Sequence, residues 1–99
     1  MESFNQYLDT LLSNQMDFFL FMQKKYPVYK DSNIFLRDLQ YAIYQYFFNK
    51  SVQLTYAKTE KLASEFASKL LSEEKLKKIS NSTWKLNFSV VPAVIEIKQ

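Results

Sequence analysis

Not one of the 99 residues is glycine. A chain of this length carries about seven on average. Glycine is the usual residue where the backbone must take positive φ, so every tight turn must be made by something else. Asn and Asp tolerate that region best among the rest, and Asn33, Asn49, Asn81 and Asn87 are the candidates. The same absence excludes glycine-rich phosphate loops, both the P-loop and the dinucleotide fingerprint.

Other absences narrow the chemistry. The chain has no His and no Cys, hence no imidazole base, no thiolate, no disulfide and no zinc-type ligand set. Only an oxygen-ligand metal site is conceivable, and no segment has the acidic spacing of a calcium loop. No metal and no cofactor are expected. The carboxylates that could work in pairs are Asp31 with Asp38 and Glu73 with Glu74. Each sits where helix capping or ion pairing accounts for it, so no enzymatic activity is expected. The lack of Cys points to a reducing compartment. No apolar run approaches a membrane span, and the start lacks the basic n-region of a signal peptide. A cytoplasmic protein without a membrane segment is the expectation.

Hydrophobic periodicity predicts mostly helix. Phe4, Tyr7, Leu8, Leu11, Leu12, Phe18, Phe19 and Met22 recur at helical spacing, with Gln15 as the one polar interruption. This predicts a first helix over 3–25, capped by Ser3 and ended before Pro27. A second is predicted from 32 or 33 to 48, capped by Asp31 or Ser32 and apolar round most of its circumference. Such a helix is central in its domain or lies in an interface. A third is predicted over 55–71, with Val52–Tyr56 as a possible strand or the start of that helix. A short fourth is predicted from Glu73 to Ile79, with Glu65–Lys69, Glu73–Lys77 and Glu74–Lys78 as i,i+4 pairs.

The tail changes period. Trp84, Leu86, Phe88 and Val90 alternate with polar residues, and Ala93, Ile95 and Ile97 follow Pro92. That is the pattern of strands with one buried face. Pro92 marks a corner or bulge, so a bent strand or hairpin over 83–98 is predicted. The reading is one α+β domain over 1–99, mostly α, helical over 3–79. It has three main helices, a short fourth and the C-terminal strand or bent hairpin. The expected core is Leu8, Leu11, Leu12, Phe18, Phe19, Met22, Leu36, Leu39, Ile43, Phe47, Leu62, Phe66, Leu70, Trp84, Leu86, Phe88 and Ile95.

A lone strand needs a partner for its backbone groups. The tail must pair within a small internal sheet or with another chain. The second option suggests a protein-interaction or oligomerisation protein, with a homodimer plausible. Tyr41, Tyr44, Phe48, Trp84, Phe88 and Val94 would then form the contact surface. The stretch "TWKLNFSVV…IEI" resembles the opening Trp-x-Leu strand of COMM domains, which adapt proteins to one another by β-rich dimerisation. The resemblance covers 83–97 only, and no residue role is carried over from it.

Charge supports an alternative. The net charge is +3, and residues 50–85 hold eight Lys against four Glu. The later helices and the strands from Trp84 could form a winged helix whose Lys75, Lys77, Lys78 and Lys85 contact phosphates. The aromatic run "YAIYQYFF" reads as core at helical spacing.

Overall fold

The structure, a computed structural model, describes residues 3–91. It is α+β and mostly α. Four helices, α1 (Phe4–Ser13), α2 (Gln15–Gln23), α3 (Leu36–Phe48) and α4 (Tyr56–Ser72), accompany three short strands, β1 (Asn33–Phe35), β2 (Leu76–Ser80) and β3 (Thr83–Leu86). The expected strand beyond Pro92, with Val94 and Ile95, lies outside the described residues.

The first predicted helix is two helices. Ser3 caps α1 as expected, and it does so reciprocally. Its hydroxyl accepts from the Gln6 N–H, and the Gln6 side chain accepts from the Ser3 N–H, so two orphan donors are satisfied at once. The helix breaks at Asn14, whose φ and ψ of −124° and 39° lie off the helical region. Gln15, the polar interruption, then leaves the core for another task. Its carbonyl accepts from Lys75 Nζ at 2.7 Å and its amide donates to Glu73 at 3.4 Å, which ties the start of α2 to the exit of α4.

The predicted fourth helix at Glu73–Ile79 is instead the junction leading into β2. Glu74 takes a φ of 62°, which stops α4, and Leu76 turns inward opposite Leu86. Strand pairing overrides the helix propensity of the Glu and Lys residues. The expected Glu73–Lys77 and Glu74–Lys78 pairs therefore do not form. Among the described residues the ion pairs are Lys75–Glu73 and Lys30–Asp31, so Glu65–Lys69 is not made either. Val52–Tyr56 is not a strand, and Thr55 caps α4 by accepting from the Lys58 N–H. β1 replaces the expected first turn of the second helix, and α3 starts after it with no side-chain cap.

β3 is the middle strand of an antiparallel sheet ordered β1-β3-β2. Ile34 faces Trp84 on one side, and Leu76 faces Leu86 on the other. Bonds beyond the strands extend the sheet: Leu86 exchanges with Asp31 and Ser32, and Asn87 N–H donates to Lys75. The tail's first strand thus finds both partners inside the chain. With β1 on one side and β2 on the other, Thr83–Leu86 itself presents no free strand edge.

Positive φ falls on none of the four predicted Asn residues. It falls on Asp31, Ser51 and Glu74. Two of these end helices in the same way. Ser51 N–H donates to Phe48 and Val52 N–H to Phe47, while Glu74 N–H donates to Leu71 and Lys75 N–H to Leu70. This is the Schellman closure, whose left-handed position normally holds glycine. Asn87 does serve a turn, at second hand: its side-chain amide donates to the Glu74 carbonyl at 2.9 Å.

Aromatic rings unite the core. Phe18 lies edge-on to Phe19, Tyr46 and Phe66 at 5.3 to 5.5 Å, and Phe19 continues to Phe66 and Phe88. Most of the predicted core is buried, and Leu12, Leu36 and Phe88 are partly buried against it. Val28, Ile34, Tyr46, Leu54 and Leu76 join them. Tyr46 donates to Asp17 at 2.8 Å. Burial first, and the Asp17 carboxylate second, push its hydroxyl up to about 12.

Two expectations follow. A left-handed non-glycine residue costs about 1–2 kcal/mol, of which the extra chain entropy of glycine takes back roughly half. Ser51→Gly and Glu74→Gly should each raise stability by about 0.5–1 kcal/mol in urea unfolding. Glu74→Gly should gain more, since it also removes a carboxylate from a helix C-terminus. The second concerns pH. Because folding raises the Tyr46 pKa from 10.0 to about 12, its stabilisation is complete below pH 10 and is lost as pH climbs through that window. Tyr46→Phe should cost about 1–3 kcal/mol near neutrality and lose less stability than the parent when urea midpoints are compared across that window.

Candidate nucleic-acid interface

Helices α3 and α4, joined by residues 49–55, are consecutive helices packed against each other. The turn is tight at its start, where the Ser51 closure folds the chain back, and Leu54 is buried just before the Thr55 cap. α4 then buries Leu62, Ala63, Phe66, Ala67 and Leu70. That face fixes which side remains outward. The outward side carries Ala57, Lys58, Glu60, Lys61, Ser64, Glu65, Ser68 and Lys69.

The β2–β3 hairpin stands beside α4, against which β2 packs. Asn81 and Ser82 make its turn, as the sequence suggests. The turn uses no positive φ. A bulge does the fitting instead: Lys78 pairs with Trp84 and Ser80 with Thr83, so Ile79 is the extra residue. A bulge bends and twists the strand that carries it, and Ile79 is left half exposed. Between helix and hairpin lies a shallow groove of ≈ 210 Å³ lined by Ser64, Ser68, Leu71, Lys78, Asn81 and Trp84.

The four lysines expected on one basic face are divided. Lys78 reaches the groove beside α4. Lys77 and Lys85 are direct cross-strand partners and both exposed, on the sheet face opposite that of Leu76 and Leu86. Lys75 is engaged with Gln15 and Glu73. The sequence reasoning missed Ser64, Ser68 and Asn81. The signal for the serines was present, since they lie i,i+4 on the polar side of a helix whose apolar side was read correctly.

The residues expected at a protein interface are divided too. Trp84 is 7 % exposed and packs in the core, with part of it on the groove beside α4. Phe88 is half-buried against Phe19. Val94 lies outside the described residues. Tyr41, Tyr44 and Phe48 remain together on the outer side of α3, with the Tyr44 and Phe48 rings stacked at 6.1 Å. Tyr41 and Phe48 are each about half exposed. Asp31 and Asp38 do not share a helix, since Asp31 precedes β1. Among the described residues no group of acidic side chains could hold a metal ion, and no helix is long and apolar enough to cross a membrane.

No protein-family model, curated protein or solved structure matches this chain.

Like charges directly opposite each other across a strand pair are unfavourable. Lys77→Glu, which places a carboxylate opposite Lys85, should raise stability by a few tenths of a kcal/mol in urea unfolding. A stability unchanged or lowered would show that the two ammonium groups do not feel each other.

Proposed function

We propose that this chain is a small non-enzymatic nucleic-acid-binding protein of winged-helix type, acting in the cytoplasm. The observation that carries the reading is the arrangement around α4. The α3–α4 pair presents one polar helix face, and a lysine-bearing hairpin flanks it, with Lys78 and Asn81 facing Ser64 and Ser68 across one groove. Ser64 and Ser68 are the small residues on the hairpin side of α4, flanked by Lys61 and Lys69 and by the acidic Glu60 and Glu65. Lys78, Lys77, Lys85 and Lys69 supply charge for phosphates. The groove side chains suited to base edges are Ser64, Ser68, Asn81 and Lys78. Binding then rests mainly on phosphate contacts and carries modest sequence preference.

The test is fluorescence anisotropy of a labelled DNA duplex over a range of salt. Affinity should fall steeply with salt. Lys78→Ala should weaken binding about equally on unrelated sequences and reduce the salt slope by about 1. Ser64→Glu, at an exposed helix position where Glu is a good helix former, should abolish binding without loss of stability. Absence of binding at low salt, or indifference to both substitutions, would sink the reading.

A second reading rests on the stacked Tyr44 and Phe48 beside the half-exposed Tyr41. An exposed aromatic cluster is the composition of a protein contact, and self-association through it would make a homodimer. Tyr44→Ser with Phe48→Ser would then lower the solution mass and leave nucleic-acid binding intact.

A further inference from the structure

α3 leaves one stripe uncovered. Leu39, Ala42, Ile43, Tyr46 and Phe47 go into the core, while Arg37, Tyr41, Tyr44 and Phe48 stand on the other side. Their spacing is four, three and four residues, the seam spacing of a helix that pairs with another helix. Tyr41 and Phe48 are about half exposed, and Tyr44 is stacked on Phe48. Arg37 is exposed and is the chain's one arginine. Among the described residues no ion pair engages it, and the cation–ring contacts use Lys50, Lys58 and Lys61 instead. A guanidinium at the end of a row of exposed rings is one half of a cation–ring contact.

The stripe is symmetric about its own middle. Turned end for end, Tyr41 exchanges with Tyr44 and Arg37 with Phe48. A two-fold axis level with Ala42 and Ile43 therefore sets Tyr41 of one copy against Tyr44 of a second copy, and Arg37 against Phe48. An isologous dimer requires this reciprocity. Parallel helices would instead set Arg37 against Arg37, like charge on like charge. The charges at the two ends of α3 agree. Its start carries Asp38 in the first turn and Glu60 beside Arg37, an acidic balance. Its end carries Lys24 and Lys50, where the Asp17 carboxylate is taken up by the Tyr46 hydroxyl. Antiparallel helices bring the acidic start of one onto the basic end of the other and oppose their dipoles. We propose, resting on the self-association reading of this aromatic cluster, that two copies pair antiparallel through α3, with the Arg37 guanidinium of each on the Phe48 ring of the other. One helix face is a small contact, so the dimer is weak and reversible. None of the stripe residues lines the α4–hairpin groove.

The test is sedimentation of the full chain over a concentration series reaching millimolar, joined to one distance measurement. A dimer should appear at the upper end of the series. The chain has no Cys, so a nitroxide on Gln53→Cys, an exposed position just past α3, is the sole spin label. Antiparallel pairing separates the two labels by about the length of the helix, ~20 Å or more. Parallel pairing leaves them about one interaxial distance apart, ~10 Å. Arg37→Gln should raise the dimer dissociation constant about ten-fold, since each dimer loses two cation–ring contacts. In a Phe48→Leu background the same change should have little effect, because the two residues act as one contact. A chain that stays monomeric at millimolar concentration overturns the self-association reading and this pairing with it. A dimer whose labels lie only ~10 Å apart, or one indifferent to Arg37→Gln, keeps that reading and overturns the antiparallel pairing alone.

Discussion

The edge-to-face packing of Phe18 against Tyr46 and Phe66 is the contact on which the helical layer depends. One ring from α2 meets α3 and α4 at once, so the positions of those two helices are set through it. Every surface discussed above is a by-product of that docking. The outer stripe of α3 is what Tyr46 leaves exposed, and the outward side of α4 is whatever Phe66 leaves exposed. Edge-to-face pairs add about 0.5–1.5 kcal/mol each beyond the area they bury. Several linked pairs therefore weigh heavily in a domain of this size, whose net stability is on the order of 5–15 kcal/mol. Tyr46 adds a polar anchor, since its hydroxyl reaches Asp17 on the same α2 that carries Phe18.

The helices were legible because their signal is long. Four or five apolar residues at 3.6-residue spacing mark α4, and Thr55 caps it where a β-hydroxyl residue belongs. β1 was not legible, because three residues exposed, buried and exposed make no pattern by themselves. It exists only because β3 lies alongside. β2 was misread for a related reason. Its Glu and Lys composition speaks for helix, only Leu76 of its residues is buried, and its pairing is a tertiary fact.

The site was legible in its parts and not in its assembly. Lys77, Lys78 and Lys85 are visible as a basic cluster, but a helix and a strand distribute such a cluster differently. In a strand, successive side chains face opposite sides, which is why Lys78 turns to α4 while Lys77 pairs with Lys85. Gln15 and Gln40 taught the same lesson in opposite ways. Both are polar residues set among apolar neighbours. One turned out to be tied to Lys75 and Glu73, the other to leave its Nε2 without a partner among the described residues, and sequence spacing cannot tell these outcomes apart.

The central place of β3 also has a consequence in time. A chain is made from its N-terminus, and its segments become free to fold in that order. The four helices all precede β3, so the aromatic core can close while synthesis is still under way. β1 and β2 cannot do the same, since among the described residues each is bonded only to β3, which follows them all. Until Leu86 has emerged, β1 is a loop between helices and β2 is a lysine-rich extension from α4. The hairpin beside α4 is thus installed after the described helices, and until then the nascent chain carries α3 and α4 without it.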